Sequence, residues 1–237
     1  MQKNPPIFNV PPAVFGLIGV FVGVHLFRGF LTAQADWELL LTFAFIPQRY
    51  AALLAGHGSI FPGGIMADFW TFFTYMFLHG SWTHLAMNSL WLLAFGTPLA
   101  IRLGGARFIV FSLILAAAGA AMHLAVYWGE LVPVVGASAA ISGQMAAVIR
   151  FSMSGPSFSP IGNGTFAPAE PLTKVLCNPR ILIFIAVWIG INYIFGVGIV
   201  DITGTGAQIA WEAHLGGFLA GLLLFPFFDP VGRSNRY

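Results

Sequence analysis

The segment WEAHLGGFLAG, residues 211–221, places His214 near the start of an apolar stretch that runs from 208 to 228. About 20 apolar residues are enough to cross a bilayer as a helix. An ionisable side chain at membrane depth is costly, so its presence there indicates a function. Small residues recur at every fourth position of the same segment, at Ala213, Gly217 and Gly221. Such a stripe lets a second helix approach closely in lipid.

Two other apolar segments carry polar residues at the same end. HGSWTHLAMN contains His79, His84 and Asn88, and VVGASAAISG contains Ser138. Three costly polar clusters at matched depth indicate that the helices bring them together. The sequence therefore predicts one active site inside a bilayer.

The composition supports a membrane protein and excludes several other classes. Hydrophobic residues make up 58% of the chain and charged residues 8%, whereas soluble domains have about 25% charged residues. We expect one domain over residues 1–237, because nothing in the sequence marks a second. The single cysteine, Cys177, excludes an intrachain disulfide. The Lys and Arg residues are few and scattered, which argues against a nucleic-acid partner.

Hydropathy predicts an all-α bundle of six transmembrane helices. Pro12 and Pro179 suit the first turns of helices one and five, and Ser81 suits the N-cap of helix two. Helix four is the least hydrophobic of the set. The predicted spans are residues 12–32, 82–101, 107–128, 134–153, 180–200 and 208–228.

Charge predicts the orientation of this bundle. With the N-terminus inside, only Arg28 and Arg49 of the ten Lys and Arg residues lie outside, as the positive-inside rule requires. Both termini, including the short tail 229–237, are then cytoplasmic. The sequence Ala33-Gln34-Ala35 resembles a signal-peptide cleavage site, but the preceding apolar stretch is too long, which favours an uncleaved first helix.

This orientation makes helices two, four and six enter from the outer face. Their polar residues then lie about 5 to 10 Å below the outer helix ends, where water can enter. Helix four has its own small-residue stripe, at Ala139, Gly143 and Ala147. Packing of this stripe against helix six would bring Ser138 and His214 within reach of each other.

These residue types suit acyl transfer. A serine hydroxyl becomes a nucleophile when a neighbouring imidazole accepts its proton, and Ser138 and His214 fit these two roles. The oxyanion that forms needs fixed donors. The helix N-terminus at Ser138 and the side chains of His84 and Asn88 can supply them, while Gly136 leaves room for a substrate backbone.

The motifs resemble those of the rhomboid family of intramembrane serine proteases. HxxxxHxxxN is present as His79, His84 and Asn88, and GxS as Gly136-Ala137-Ser138. AHxGGxxxG is present from Ala213 through His214, Gly216 and Gly217 to Gly221. The resemblance spans nearly the whole chain.

The resemblance implies a catalytic dyad of Ser138 and His214 without a third acidic member, and an oxyanion hole helped by His84 and Asn88. It implies cleavage of membrane-anchored proteins in or near their transmembrane segments, with no metal or cofactor. The outer loop 33–68 resembles the family's partly buried loop, in which 37–40 and 50–54 could form short interfacial helices. The segment 201–208 resembles a mobile cap.

Three positions depart from the family pattern. Ala139 replaces the common glycine after the nucleophile, which would add a methyl near the substrate path. Ser142 stands where many members have an aromatic ring against the catalytic histidine, so we expect His214 to be held less firmly. Ala100 replaces a frequent acidic residue, which puts the usual anchoring of the inner loop in doubt.

Each motif also has a simpler interpretation. The small-residue stripe alone indicates helix packing, and His214 alone would satisfy an interhelical hydrogen bond. His84 with Asn88 would suit a lipid headgroup or a loop cap, and we expect His79 to brace the loop into helix two. His25, His57 and His123 are expected to be non-catalytic. The five-residue spacing of His79 and His84 argues against a zinc protease, and the position of Cys177 argues against a cysteine nucleophile.

Two other function classes remain as alternatives. One is a catalytically silent relative that binds the transmembrane helices of clients, although both dyad residues are intact. The other is a small transporter, which fits poorly because there is no inverted repeat. Short loops favour a bacterial plasma membrane. Single-span membrane proteins are the expected substrates, and the sequence specifies no oligomeric state.

Overall fold

The structure is a computed structural model that describes residues 10–58, 60–152, 163–196 and 209–231. The regular elements of this part of the chain are helices, as predicted, and Phe45 and Val134 form an isolated β-bridge. The eleven α-helices of these ranges are α1 (Pro12–Gly29), α2 (Ala33–Phe43), α3 (Pro47–Leu54), α4 (Gly64–Thr74), α5 (Trp82–Trp91), α6 (Thr97–Leu103), α7 (Gly105–Val126), α8 (Ser138–Ser152), α9 (Leu172–Cys177), α10 (Pro179–Gly196) and α11 (Trp211–Phe228).

Within the described residues, five helical segments are long and apolar enough to cross a membrane. They are Pro12–Gly29, Trp82–Leu103, Gly105–Val126, Pro179–Gly196 and Trp211–Phe228. The predicted fourth span corresponds to α8, which has 15 residues and reaches the end of the described range at Ser152. Pro12 and Pro179 are the first residues of their helices, and Ser81 caps α5 by accepting from the His84 amide.

The second span is continuous but contains a π-helical turn, Leu92–Gly96, between α5 and α6. Pro98 follows two residues later. A proline inside a helix has no N–H to donate to the carbonyl four residues earlier and clashes with that carbonyl, here that of Ala94. The wider π-helical turn accommodates the missing hydrogen bond and the clash.

Helices α8 and α11 pack in parallel along their predicted small-residue stripes. A Cβ on Gly217 would overlap the carbonyl of Ala139, and one on Gly221 would overlap that of Gly143. The residue numbers of the contacts rise together, so both helices run in the same direction. The predicted close packing of helices four and six is therefore confirmed.

The predicted start of helix four at residue 134 is wrong. Val134 pairs with Phe45 through two backbone hydrogen bonds, of 2.8 and 3.1 Å, and so is extended. Gly136 has φ +113°, outside the helical region. Ser138 is therefore the first residue of α8 rather than a residue one turn inside the helix, so its predicted depth below the helix end is also wrong.

The segment 33–68, which was predicted to be an outer loop, is folded around a buried arginine. Arg49 is 0% exposed and donates to Asp68 at 3.2 Å and to the carbonyl of Leu41 at 2.7 Å. The expected short helices 37–40 and 50–54 fall within α2 and α3, and α4 was not predicted. At the start of the loop, Arg28 pairs with Asp36 at 2.6 Å.

A second buried arginine holds the C-terminal end of α6. Arg102 donates two hydrogen bonds to the Asp229 carboxylate, at 2.9 and 2.7 Å. It also donates to the carbonyls of Thr165 and Ala167, at 2.6 and 2.7 Å. Thr165 and Ala167, which lie in the predicted inner loop after α8, are therefore anchored despite Ala100.

Candidate active site

The structure brings Ser138 and His214 together. The Ser138 Oγ lies 2.6 Å from the His214 Nε2. Ser138 begins α8 and His214 lies in the first turn of α11, so the parallel packing of these helices puts both residues at the same end. A hydroxyl at this distance from an imidazole nitrogen can transfer its proton to it.

The serine is followed in the chain by the first backbone amides of α8. Ile141 N–H bonds to the Ala137 carbonyl, so the amides before it precede the helical hydrogen-bond ladder. Such amides point out of the helix N-terminus and favour negative charge. Ser142 donates its hydroxyl to the Ser138 carbonyl at 2.8 Å.

The next candidate donors, His84 and Asn88, lie against Gly136. A Cβ at Gly136 would meet His84 Nε2 at 2.7 Å and Asn88 Nδ2 at 3.6 Å. The Gly80 amide donates to His84 Nδ1 at 3.4 Å, so His84 carries its own hydrogen on Nε2. One Asn88 Nδ2 hydrogen goes to the His84 carbonyl at 3.1 Å, and the amide has a second. Both side chains can therefore donate near the backbone before Ser138.

His79 lies behind this pair as a packing residue. Its ring is buried, with centroids 5.0 Å from Phe21 and 5.2 Å from His84. Its carbonyl accepts from Arg28 at 2.7 Å. Burial lowers the pKa of His79 to about 3, so the ring is neutral. The position suits the bracing role suggested by the sequence.

The methyl of Ala139 is buried where α8 packs against α7. Ala139 is 1% exposed, and a Cβ on Gly119 of α7 would come within 2.5 Å of its Cβ. The side chain is therefore buried between α8 and α7. The effect of this methyl on a substrate stays a prediction.

Sequence reasoning missed Asn192, which lies on α10 and contacts the histidine. Its Oδ1 is 2.5 Å from His214 Nδ1, and its Nδ2 donates to the Trp188 carbonyl at 2.8 Å. The available signal was an amide side chain within an otherwise apolar span, which is costly unless it has a partner.

His123 does not contact Ser138 or His214 but belongs to a separate buried pair. Its Nδ1 lies 2.5 Å from Glu212 Oε1, and its Nε2 lies 3.0 Å from the Val132 carbonyl. A carbonyl only accepts, so Nε2 carries a hydrogen and Nδ1 faces the carboxyl group. This pair fastens α11 to α7 just before His214.

The remaining candidates lie elsewhere. His25 packs edge-on against Trp82, and Cys177 is exposed at the end of α9. Among the residues that the structure describes, no three His, Cys, Asp or Glu side chains form a group able to hold a metal ion. The predicted cap 201–208 lies outside the described residues.

The fold and the site define a class: an integral, multi-pass helical membrane protein in which a serine and a histidine are hydrogen-bonded at one end of two parallel helices. The Rhomboid domain matches residues 66–228, which is more than half of the chain. The chain belongs to the rhomboid family. This family consists generally of serine intramembrane proteases.

Proposed function

We propose that the chain is a serine endopeptidase that hydrolyses peptide bonds in or near transmembrane segments. The observation that carries the proposal is the 2.6 Å contact between Ser138 Oγ and His214 Nε2. A nucleophile in hydrogen-bond contact with a base, at the N-terminus of a helix, is the arrangement that acyl transfer requires. Single-span membrane proteins are the proposed substrates, and no metal or cofactor takes part.

In the acylation step, Nε2 of His214 accepts the hydroxyl proton of Ser138 as Oγ attacks the carbonyl carbon of the peptide bond. A C–O bond forms, and the carbonyl oxygen becomes an oxyanion. When this intermediate collapses, the C–N bond breaks and Nε2 returns the proton to the leaving amine. The product is an ester between the substrate's acyl group and Ser138.

The oxyanion is stabilised by donors that are already in position. The Ser138 amide, His84 Nε2–H and the second Asn88 Nδ2 hydrogen are proposed to converge on it. Loss of one such donor costs about 10²- to 10³-fold in kcat in other serine proteases. Gly136 contributes by its missing side chain, since a Cβ there would occupy the space in front of His84 and Asn88.

Deacylation repeats these steps with water. His214 Nε2 accepts a proton from water, the resulting hydroxide attacks the acyl carbon, and Oγ leaves with the proton that Nε2 returns. Water reaches the site from the face on which α8 and α11 begin. We propose that this face is the outer one, that both termini are cytoplasmic, and that the protein resides in a bacterial plasma membrane.

The test compares purified wild type with Ser138→Ala and His214→Ala in detergent, using a fluorescent single-span peptide and a serine-directed fluorophosphonate. We expect cleavage and labelling by wild type and neither by Ser138→Ala. Ser152→Ala is the control, because it removes a serine hydroxyl from the same helix whose hydrogen bond goes to the Val148 carbonyl and not to His214. Equal cleavage by wild type and Ser138→Ala contradicts the proposal. A wild type that binds single-span helices without cleavage or labelling supports the silent relative instead.

A further inference from the structure

Asn192 is the side chain that contacts the ring nitrogen of His214 on the side opposite Ser138. His214 Nδ1 lies 2.5 Å from Asn192 Oδ1, while His214 Nε2 lies 2.6 Å from Ser138 Oγ. The three side chains come from α10, α11 and α8. They form a hydrogen-bonded row of amide, imidazole and hydroxyl.

The direction of each hydrogen bond in this row follows from one contact. Asn192 Nδ2 lies 2.8 Å from the Trp188 carbonyl, which only accepts. The amide nitrogen therefore faces Trp188, and the oxygen must face the imidazole. Since Oδ1 only accepts, His214 Nδ1 carries the hydrogen.

The same contact fixes the form of the base. A neutral imidazole with its hydrogen on Nδ1 has its lone pair on Nε2, which faces Ser138. This is the tautomer that can accept the hydroxyl proton. The other tautomer would direct an N–H at the serine, and the ring could not act as its base.

We propose that Asn192 is a positioning residue that holds His214 in the Nδ1–H tautomer and fixes the ring plane toward Ser138. The arrangement is a serine, histidine and asparagine row rather than an isolated dyad, and it rests on the proposed proteolytic function. No proton moves to the amide. When Nε2 takes the serine proton, the imidazolium keeps its Nδ1–H bond to Oδ1.

Two observations make this more than an interhelical hydrogen bond. Ser142 is small and uses its hydroxyl on the Ser138 carbonyl, so it does not stack on the histidine as an aromatic ring would. The amide of Asn192 is also oriented by its own helix through Trp188, before any contact with α11. His214, which was expected to be held less firmly, is therefore held by Asn192 of α10.

The experiment compares Asn192→Leu, which removes the acceptor at similar size, with Asn192→Asp, which keeps an oxygen acceptor. Ile191→Ala is the matched control, because the side chain of this neighbour on α10 is 48% exposed. Each variant is purified in detergent and checked for a cooperative thermal transition. Steady-state cleavage of a fluorescent single-span peptide then gives kcat and KM.

We expect kcat of Asn192→Leu to fall about 10- to 100-fold with little change in KM, the size typical when a partner that orients an active-site group is lost. Asn192→Asp should keep most of the wild-type kcat, and Ile191→Ala all of it. An unchanged kcat for Asn192→Leu overturns the proposal. An equal loss for Asn192→Asp also overturns it, because a loss that an acceptor does not rescue reflects packing.

A second readout does not depend on turnover. The ¹⁵N spectrum of histidine-labelled protein, with His214 assigned by comparison with His214→Ala, reports which ring nitrogen carries the hydrogen. We expect Nδ1–H in wild type and its loss in Asn192→Leu. If wild type neither cleaves nor reacts at Ser138, the proteolytic function fails. The role of Asn192 is then tested by the ¹⁵N spectrum alone, and an unchanged His214 tautomer in Asn192→Leu overturns that role.

Discussion

Arg150 donates from Nη1 to the main-chain oxygen of Leu222 at 2.7 Å, inside helix α11. That carbonyl is free to accept because the residue four positions later is Pro226, which has no N–H. Arg150 is 6% exposed and also donates from Nε to the Glu170 carbonyl at 2.9 Å. One side chain therefore donates to the carbonyl that Pro226 leaves without a helical partner and also holds Glu170 against α8.

This relationship predicts a coupling between Arg150 and Pro226. Arg150→Met should lower the free energy of unfolding by about 1.5 to 3 kcal/mol, since a hydrogen bond from a charged donor is lost and a buried carbonyl is left without a partner. In a Pro226→Ala background, the new N–H at position 226 can donate to the Leu222 carbonyl. Arg150→Met should then lower the free energy of unfolding by about 1 kcal/mol less than it does in wild type. Denaturant unfolding of the four proteins in mild detergent measures the cycle. Strictly additive losses would contradict this account.

A second prediction concerns Gly136 and involves both activity and stability. Gly136→Ala should reduce kcat by about 10²-fold or more, because the methyl would press on His84 Nε2 in the space proposed for the oxyanion. The positive φ adds about 1 to 2 kcal/mol of backbone strain. Gly190→Ala is the matched control, since a Cβ there meets nothing within 4 Å. Peptide cleavage and the thermal midpoint are measured for both. If Gly136→Ala cleaved the peptide as fast as wild type does, Gly136 would not be part of the proposed site.

The third prediction tests the close packing of α8 and α11. Gly217→Ala should destabilise the protein by about 1 to 3 kcal/mol, because its methyl would overlap the Ala139 carbonyl and force the two helices apart. The pair Ser138 and His214 would separate with them, so kcat should fall as well. Gly19→Ala on α1 has open space around the new methyl and should be neutral in both measurements. Equal behaviour of the two variants in thermal unfolding would be evidence against the packing argument.

Sequence patterns located most of the spans and the candidate pair Ser138 and His214, because both depend on local signals. The length of the apolar stretches predicts where α1, α7 and α11 lie. A histidine or serine within such a stretch stands out because burying a polar side chain in a membrane costs free energy. The start of α8 could not be read this way, because it depends on the pairing of Val134 with the distant Phe45.

The ion pair between Arg102 and Asp229 was missed for the same reason. Arg102 and Asp229 are separated by 127 positions, and no local pattern links them. Asn192 did carry a local signal, an amide in an apolar helix, but its partner His214 comes from another helix. Only packing identifies which polar groups meet, whereas hydropathy identifies which polar groups need a partner.

The last prediction concerns His79 and pH. Burial lowers its pKa from 6.5 in the unfolded chain to about 3 in the folded protein. Between these values the unfolded chain binds a proton that the folded protein does not, so folding stability is full above pH 6.5 and falls as the pH drops toward 3. The contribution is at most about 1.4 kcal/mol per pH unit. His79→Phe, which keeps a ring against Phe21, should lose this slope, so its stability relative to wild type should rise between pH 7 and pH 5. Denaturant unfolding in detergent at the two pH values measures the difference. A constant difference between the two proteins would mean that His79 is not kept neutral by burial.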